Sequence, residues 1–299
     1  MKMLICSDGH ASAENAIRFI SKTAAACAAK VTLLGIVEHP DDHSNLGEAL
    51  ARQEQLLRDE GVLVKVITGK GHPIEQIKQI TLEQSYDLVV VGAERKASSR
   101  LALSTKAYHI IKGIDPPVLV MIGKRAELRR ILLCSSGQPP LDRTIELTAA
   151  IARGAGAAVT LVHVLAEPPL IYSDLLEREI SGVDKLLASN FSLARNLRQE
   201  IAAFEKLQVP LEVKLRSGDI VEELLREARV RDYDLIVTGS APTRGAIRTY
   251  LMGDVTAAIV EQADCAILVV RNATYQNAQR SFFKSLREFF LAVKLKLTG

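Results

Sequence analysis

Few places in this chain carry residues able to do chemistry, and the stretch Ser7-Asp8-Gly9-His10 is the first of them. The carboxylate of Asp8 can accept hydrogen bonds from a ribose or an amino group. It can equally cap a helix that starts just beyond it, where Asp is a preferred residue. Gly9 lets the backbone approach a ligand closely. A second stretch, Gly92-Ala93-Glu94-Arg95, adds another glycine and a guanidinium that could pair with phosphate. Arg95 together with Lys96 and Arg100 reads as well as a solvated, charged loop. His39 and His43 beside Asp41-Asp42 have the composition of a metal cluster, but also that of a polar surface loop, and no metal site is assigned. The chain holds no Walker P-loop, no G-x-G-x-x-G after its first strand and no H-E-x-x-H. No set of nucleophile, base and orienting residue can be assembled from the sequence. His163 falls within an apolar run and reads as packed and hydrogen-bonded rather than catalytic.

These turns matter only if strands and helices hold them, and the chain states that framework twice. Leu4-Ile5-Cys6-Ser7-Asp8-Gly9 returns as Leu132-Leu133-Cys134-Ser135-Ser136-Gly137, and Val31-Thr32-Leu33-Leu34 as Val159-Thr160-Leu161-Val162, both 128 positions on. Tyr86-Asp87-Leu88-Val89-Val90-Val91-Gly92 returns as Tyr233-Asp234-Leu235-Ile236-Val237-Thr238-Gly239, 147 positions on. A repeat this long fixes the domain unit, and half of 299 residues is the size of one ordinary domain. The halves divide near residues 124–129, giving domains 1–125 and 126–272 and a tail of 273–299. In the first half, strands are expected near 2–7, 31–37, 62–67, 87–92 and 117–122, with helices near 12–29, 44–60, 72–84 and 99–112. Ser44 or Asn45 is the expected cap of the second helix, and Gly61 its stop. Strands near 130–135, 159–164, 211–215, 234–239 and 266–271 repeat the scheme. Alternating strands and helices with almost wholly apolar strands predict an α/β fold of two tandem, doubly wound, five-stranded parallel sheets. In such sheets ligands bind beyond the carboxyl ends of the strands, where strand order reverses.

The 19-residue growth in offset places an insertion in the second half. Leu176, Ile180, Val183, Leu187, Ala194, Leu197, Ile201 and Phe204 there follow helical spacing. They predict a long amphipathic helix, with Ser181-Gly182 a break, that packs on its own sheet or on the sister domain; a partner-binding seam is the other reading. Cys6 and Cys134 occupy matching apolar positions and are expected to be buried, reduced thiols in a cytoplasmic protein. No apolar run reaches the roughly 18 residues needed to span a bilayer, and the start leaves no room for a cleaved signal peptide. Residues 272–299 carry Arg280, Lys284, Arg287, Lys294 and Lys296 against Glu288, so the formal charge of +3 belongs to the tail and the body is near −1. The body therefore has no basic bias toward nucleic acid. In the tail, Phe282, Phe283, Leu286, Phe289, Phe290, Val293 and Leu297 form an apolar helical stripe. Beside the cations at 280, 287 and 294 that stripe suits either docking on the protein or a second copy of it, or peripheral membrane contact through 280–297.

Both halves resemble the universal stress protein family over residues 1–271. The carrying features are Cys6-Ser7-Asp8-Gly9 closing the first strand, Leu161-Val162-His163-Val164 in the second, and the repeated Tyr-Asp-Leu-x-Val-x-Gly fourth strand. The resemblance implies an adenine nucleotide alpha hydrolase-like sheet whose last strand pairs two copies, so that a tandem chain is a pseudo-dimer. It also implies a stress-response or signalling module. Many members bind ATP through G-x-x-G-(nine residues)-G-[S/T], with the first-turn Asp near the nucleoside, and magnesium would accompany ATP. Carried onto this chain, the implied site of the first half is Asp8, Gly9, Ile36, Gly92, Arg95, Ser104 and Thr105. Arg95 stands where the second glycine belongs, and Ser104 stands at the third, one residue early. The second half keeps Gly239 and, one residue late, Gly253. It has Ser136 for the Asp, Pro242 for the second glycine and Asp254 for the hydroxyl. Pro242 lacks a backbone donor and Asp254 would repel phosphate, so this second site reads as unfit for a triphosphate. The expected ligand is ATP or another adenine nucleotide in the first half. The alternatives are an interaction protein without nucleotide, with itself or unknown proteins as partners, and a slow ATPase.

Overall fold

The computed structural model describes residues 1–38, 43–93, 105–139, 142–166, 182–240 and 254–271. The first half runs β1 (Lys2–Ser7), α1 (Ala11–Ala26), β2 (Lys30–Val37), α2 (His43–Asp59), β3 (Leu63–Lys70), α3 (Pro73–Glu83), β4 (Leu88–Ala93), α4 (Thr105–Gly113) and β5 (Val118–Ile122). The second runs β6 (Arg130–Ser135), α5 (Asp142–Ala155), β7 (Ala158–Leu165), α6 (Val183–Ala188), α7 (Ser192–Lys206), β8 (Leu211–Ser217), α8 (Ile220–Val230), β9 (Leu235–Ser240), α9 (Asp254–Gln262) and β10 (Ala266–Arg271). Strand by strand the elements fall where apolar patterning places them. Ser44 and Asn45, expected as caps, instead lie inside the first turn of α2, which begins at His43.

All ten strands form one sheet, in the order β3-β2-β1-β4-β5-β10-β9-β6-β7-β8. Each half is a doubly wound parallel unit. The two units meet where β10 runs antiparallel to β5, pairing Ile267 with Val120, Leu268 with Leu119 and Val269 with Val118. The pseudo-dimer implied by the resemblance is thus a continuous sheet whose strand direction reverses once, at its centre. Helices cover both faces, so the central strands are apolar on both sides: every residue of β5 and β10 is buried. Two cores result, one per face, and each runs through both halves. On one face α1 packs on α5, with Cys27 Sγ donating to the carbonyl of Ala150 at 3.5 Å. Gly154 permits this approach, since a Cβ there would lie 3.1–3.2 Å from Thr23. On the other face the buried Arg271, ending β10, donates to the carbonyls of Ile111 and Ile114 at the end of α4. A guanidinium there satisfies carbonyls that a helix end leaves open.

The repeated Tyr-Asp pairs fasten the strands rather than any ligand. Asp87 accepts from the main-chain N–H of Lys2 at 2.8 Å. Asp234 accepts from Arg129 and Arg130 at 2.8 and 2.9 Å, and Arg125 of the interdomain stretch pairs with it at 2.6 Å. The Tyr86 hydroxyl donates to Thr32 on β2 at 3.2 Å.

Five helices also end alike. An N–H five residues on reaches back to a carbonyl in the last turn: Ala29 to Ala24, Val62 to Leu57, Ala157 to Ala152, Val209 to Phe204 and Tyr233 to Ala228. This motif requires a left-handed residue just before that donor. The positions are Ala28, Gly61, Gly156, Gln208 and Asp232, all at positive φ.

The inserted stripe of the second half is not one continuous helix. The described part is two helices, α6 and α7, separated by Ser189-Asn190-Phe191; Leu176 and Ile180 lie outside the described residues. Leu186, Ala194, Leu197 and Phe204 are all buried in the core on the α1–α5 face, and α7 packs on α5 and β8 of its own half. Burial of that size is worth about 1.5–3 kcal/mol for each large side chain, so the stripe serves the fold. The tail 273–299, with its expected amphipathic helix, lies outside the described residues.

Candidate functional site

Within each half β1 or β6 has neighbours on both sides whose connections leave in opposite directions, so strand order reverses beside it. A cleft opens at the carboxyl end of each. The first cleft, about 280 Å³, lies between the ends of β1, β2 and β4 and the helices α1, α3 and α4. Ser7, Asp8 and His10 form its rim, Ile36 and Glu38 one wall, and Val91, Gly92 and Ala107 the other. Gly9 holds the turn at φ +83°, with its N–H bonded to Ser7 Oγ at 3.1 Å. Asp8 Oδ1 accepts from the His10 main chain at 3.1 Å and lies 3.3 Å from the His10 ring. Its side chain remains half exposed toward the cleft mouth.

Of the residues expected in this site, the structure gathers Asp8, Ile36 and Gly92 around one space and sets Gly9 in the turn beneath them. Arg95 and Ser104 lie outside the described residues, as do Asp41 and Asp42; Thr105 opens α4, and no contact of its side chain is described. Gly92 has a different reason for being glycine from the one its motif suggests. A Cβ there would sit 2.4 Å from the Ser12 carbonyl and 2.6 Å from the Ala13 nitrogen. Helix α1 begins against β4 at this point, so the missing side chain serves packing.

The second cleft, about 460 Å³, occupies the equivalent place in the second half. Gly239 lines it, as do Ser135, Ser136 and Cys134; Gly253 and Pro242 lie outside the described residues. Gly137 holds the turn at φ +71°, and a Cβ there would lie 2.7 Å from His163 Cε1 and from Leu193 Cδ1. Asn196 of α7 secures the same turn by donating to the Gly137 carbonyl at 2.8 Å.

Here the sequence reading missed a residue. Glu200 of α7 is buried, lines the cleft and accepts from Ser135 Oγ at 2.9 Å. Burial pushes its carboxyl up to about 7, with the Ser135 hydrogen bond opposing. No cation pairs with it among the described residues. His163 bonds through Nδ1 to the Ser135 carbonyl at 3.0 Å, and burial lowers its pKa. The histidine is packed and hydrogen-bonded, as expected, yet it also faces the cleft. The signal for Glu200 was present: it interrupts the stripe between Leu197 and Phe204, and Gln53 stands 147 positions before it. All four cysteines are free. Burial raises Cys6 beyond the range of a reactive thiol and pushes Cys134 up to about 12, so neither supplies a thiolate to its cleft. Among the described residues, no group of three or more His, Cys, Asp or Glu could hold a metal ion.

Comparisons with known proteins match both halves. The family model described as "Universal stress protein family" matches residues 1–121 and again 127–271. The chain belongs to the universal stress protein family. A universal stress protein of Methanothermobacter thermautotrophicus is 26% identical over 143 residues, which is 48% of this chain and 95% of that relative. The crystal structure of a universal stress protein from Archaeoglobus fulgidus superposes with a TM-score of 0.66 at 15% identity, covering 91% of this chain and 98% of the other. A protein of unknown function from Pseudomonas aeruginosa gives 0.65 at 16%, covering 91% and 92%. These two likenesses extend across both halves and concern the fold. No helix among the described residues is long and apolar enough to cross a membrane.

Proposed function

We propose that this universal stress protein is a stress-response or signalling module that binds an adenine nucleotide in the first cleft. One observation carries the reading: Asp8, the family's nucleoside-side carboxylate, stands half exposed at the mouth of a slot walled by Ile36, Val91 and Ala107. Apolar walls suit the faces of a purine ring, and one acceptor at the rim suits ribose hydroxyls. The role is binding rather than turnover: Asp8 is engaged with the His10 main chain, and the nearby Cys6 thiol is held protonated by burial. The cytoplasm is the compartment that four free cysteines suit best.

Equilibrium titration of the full chain with a fluorescent ATP analogue and magnesium tests this. Saturable binding is expected, weakened at least tenfold by Asp8→Ala and unchanged by Glu200→Gln in the other cleft. Absence of saturation, or equal binding by Asp8→Ala, overturns it.

A further inference from the structure

The second cleft has the location of the first but not its chemistry. Its wall of Leu133, Ile145, Val164 and Leu224 is apolar, and each polar side chain among its described lining residues, a serine, threonine, histidine or glutamate, can accept a hydrogen bond. A carbonyl only accepts, so the contact between His163 Nδ1 and the Ser135 oxygen places the ring hydrogen on Nδ1. Nε2 is left with a lone pair. Glu200 contributes a carboxyl, and Thr144, also buried against this space, has an Oγ1 with no hydrogen-bond partner. Among the described residues that line it there is no lysine or arginine.

Elsewhere this protein handles a buried acid differently. Glu227 is almost wholly buried, but Lys214 reaches it at 2.7 Å and Arg216 also pairs with it. In the first half Gln53, a neutral amide of the same shape, takes the place of Glu200. A buried carboxyl is ordinarily paired, and the one at Glu200 faces an open cavity where a paired one faces a cation.

We infer that the second cleft binds a small organic cation, a primary ammonium on an apolar body, through Glu200, His163 Nε2 and the Thr144 hydroxyl. An ammonium brings three donors and no acceptor, which matches these three groups. The cavity lies within the size range of small-molecule sites. The Glu200 carboxyl disfavours a phosphate-bearing ligand here, so, together with the nucleotide proposed for the first cleft, the two clefts would select ligands of opposite charge.

The test uses three probes with one body and different heads: phenethylamine, 2-phenylethanol and phenylacetate. Each is titrated calorimetrically into the full-length protein, with saturation-transfer NMR as a second readout. Phenethylamine is expected to bind saturably and at least tenfold more tightly than either of the others. Glu200→Gln, whose side chain has the shape Gln53 already shows is accommodated, should weaken phenethylamine at least tenfold, and Thr144→Val by a smaller factor. Asp8→Ala should leave it unchanged, which separates this result from failure of nucleotide binding in the first cleft. Equal binding of the ammonium and the carboxylate, full retention in Glu200→Gln, or no saturable binding of phenethylamine each overturns the inference.

Discussion

Glu200 is a carboxylic acid whose ionisation the fold opposes. Its carboxyl, ordinarily near 4.5, is pushed up to about 7 by burial, so between those values the folded chain holds a proton that the unfolded chain has lost. Stability from this group is therefore complete below about pH 4.5 and falls as pH rises toward 7. Each pKa unit is about 1.36 kcal/mol. Glu200→Gln is accordingly expected to unfold like wild type at pH 4 and to be roughly 2–3 kcal/mol more stable at pH 8, measured by urea denaturation in parallel buffers. A variant no more stable than wild type at pH 8 would show that the fold does not penalise the ionised form of this acid. Residue-scale legibility was uneven for a physical reason. Asp8 and Gly9 announce themselves because a turn needs them at adjacent positions. Glu200 is brought to Ser135 across 65 positions by tertiary packing, and only its interruption of an apolar stripe marks it. Gly92 is expected as glycine for ligand approach, whereas the backbone of Ser12 is what excludes a side chain there.

Among the elements, the helix ends show how duplication leaves traces that a single copy would hide. The same C-terminal motif closes α2 and α7, with Gly61 in one and Gln208 in the other, 147 positions apart. A side chain in the left-handed region costs about 1–2 kcal/mol relative to the right-handed one, and glycine does not bear that cost. Part of the gain is lost to the greater freedom of glycine when unfolded. Gln208→Gly is thus expected to raise stability by about 0.5–1 kcal/mol, detectable as a higher thermal midpoint; an equal or lower midpoint would mean that the Gln208 side chain does more than occupy a strained position. The inner strands were legible to within a residue, because burial on both faces enforces unbroken apolar runs such as Val118–Ile122, whereas the part-exposed edge strands β3 and β8 run on to Lys70 and Ser217, past their expected ends at 67 and 215. The break between α6 and α7 was not. Both flanking segments satisfy helical periodicity, and the interruption at Ser189-Asn190-Phe191 is a local turn that the stripe, with Leu187 before it and Ala194 after it, runs straight past.

For the whole molecule the decisive feature is the junction of β5 with β10. Both strands are buried throughout, both cores continue across the junction, and Arg271 from one half closes a helix of the other. A chain ending at residue 125 would leave the apolar β5 edge open, which invites pairing with another strand. The isolated first half is expected to run as a dimer or larger species in size-exclusion chromatography with light scattering, and the intact chain to unfold in one transition. A stable monomeric first half would show the junction to be dispensable. That the halves join was legible through the family resemblance alone, since no local pattern in Val118–Ile122 specifies an antiparallel neighbour.

The reversal of strand direction at that junction has a further result. Ligands enter such sheets from the carboxyl ends of strands, and those ends lie on opposite rims of the two halves. The two cleft mouths therefore look away from each other. A flat partner seated over one would leave the other accessible, so if both proposed ligands bind, one molecule would register two unlike small molecules at once.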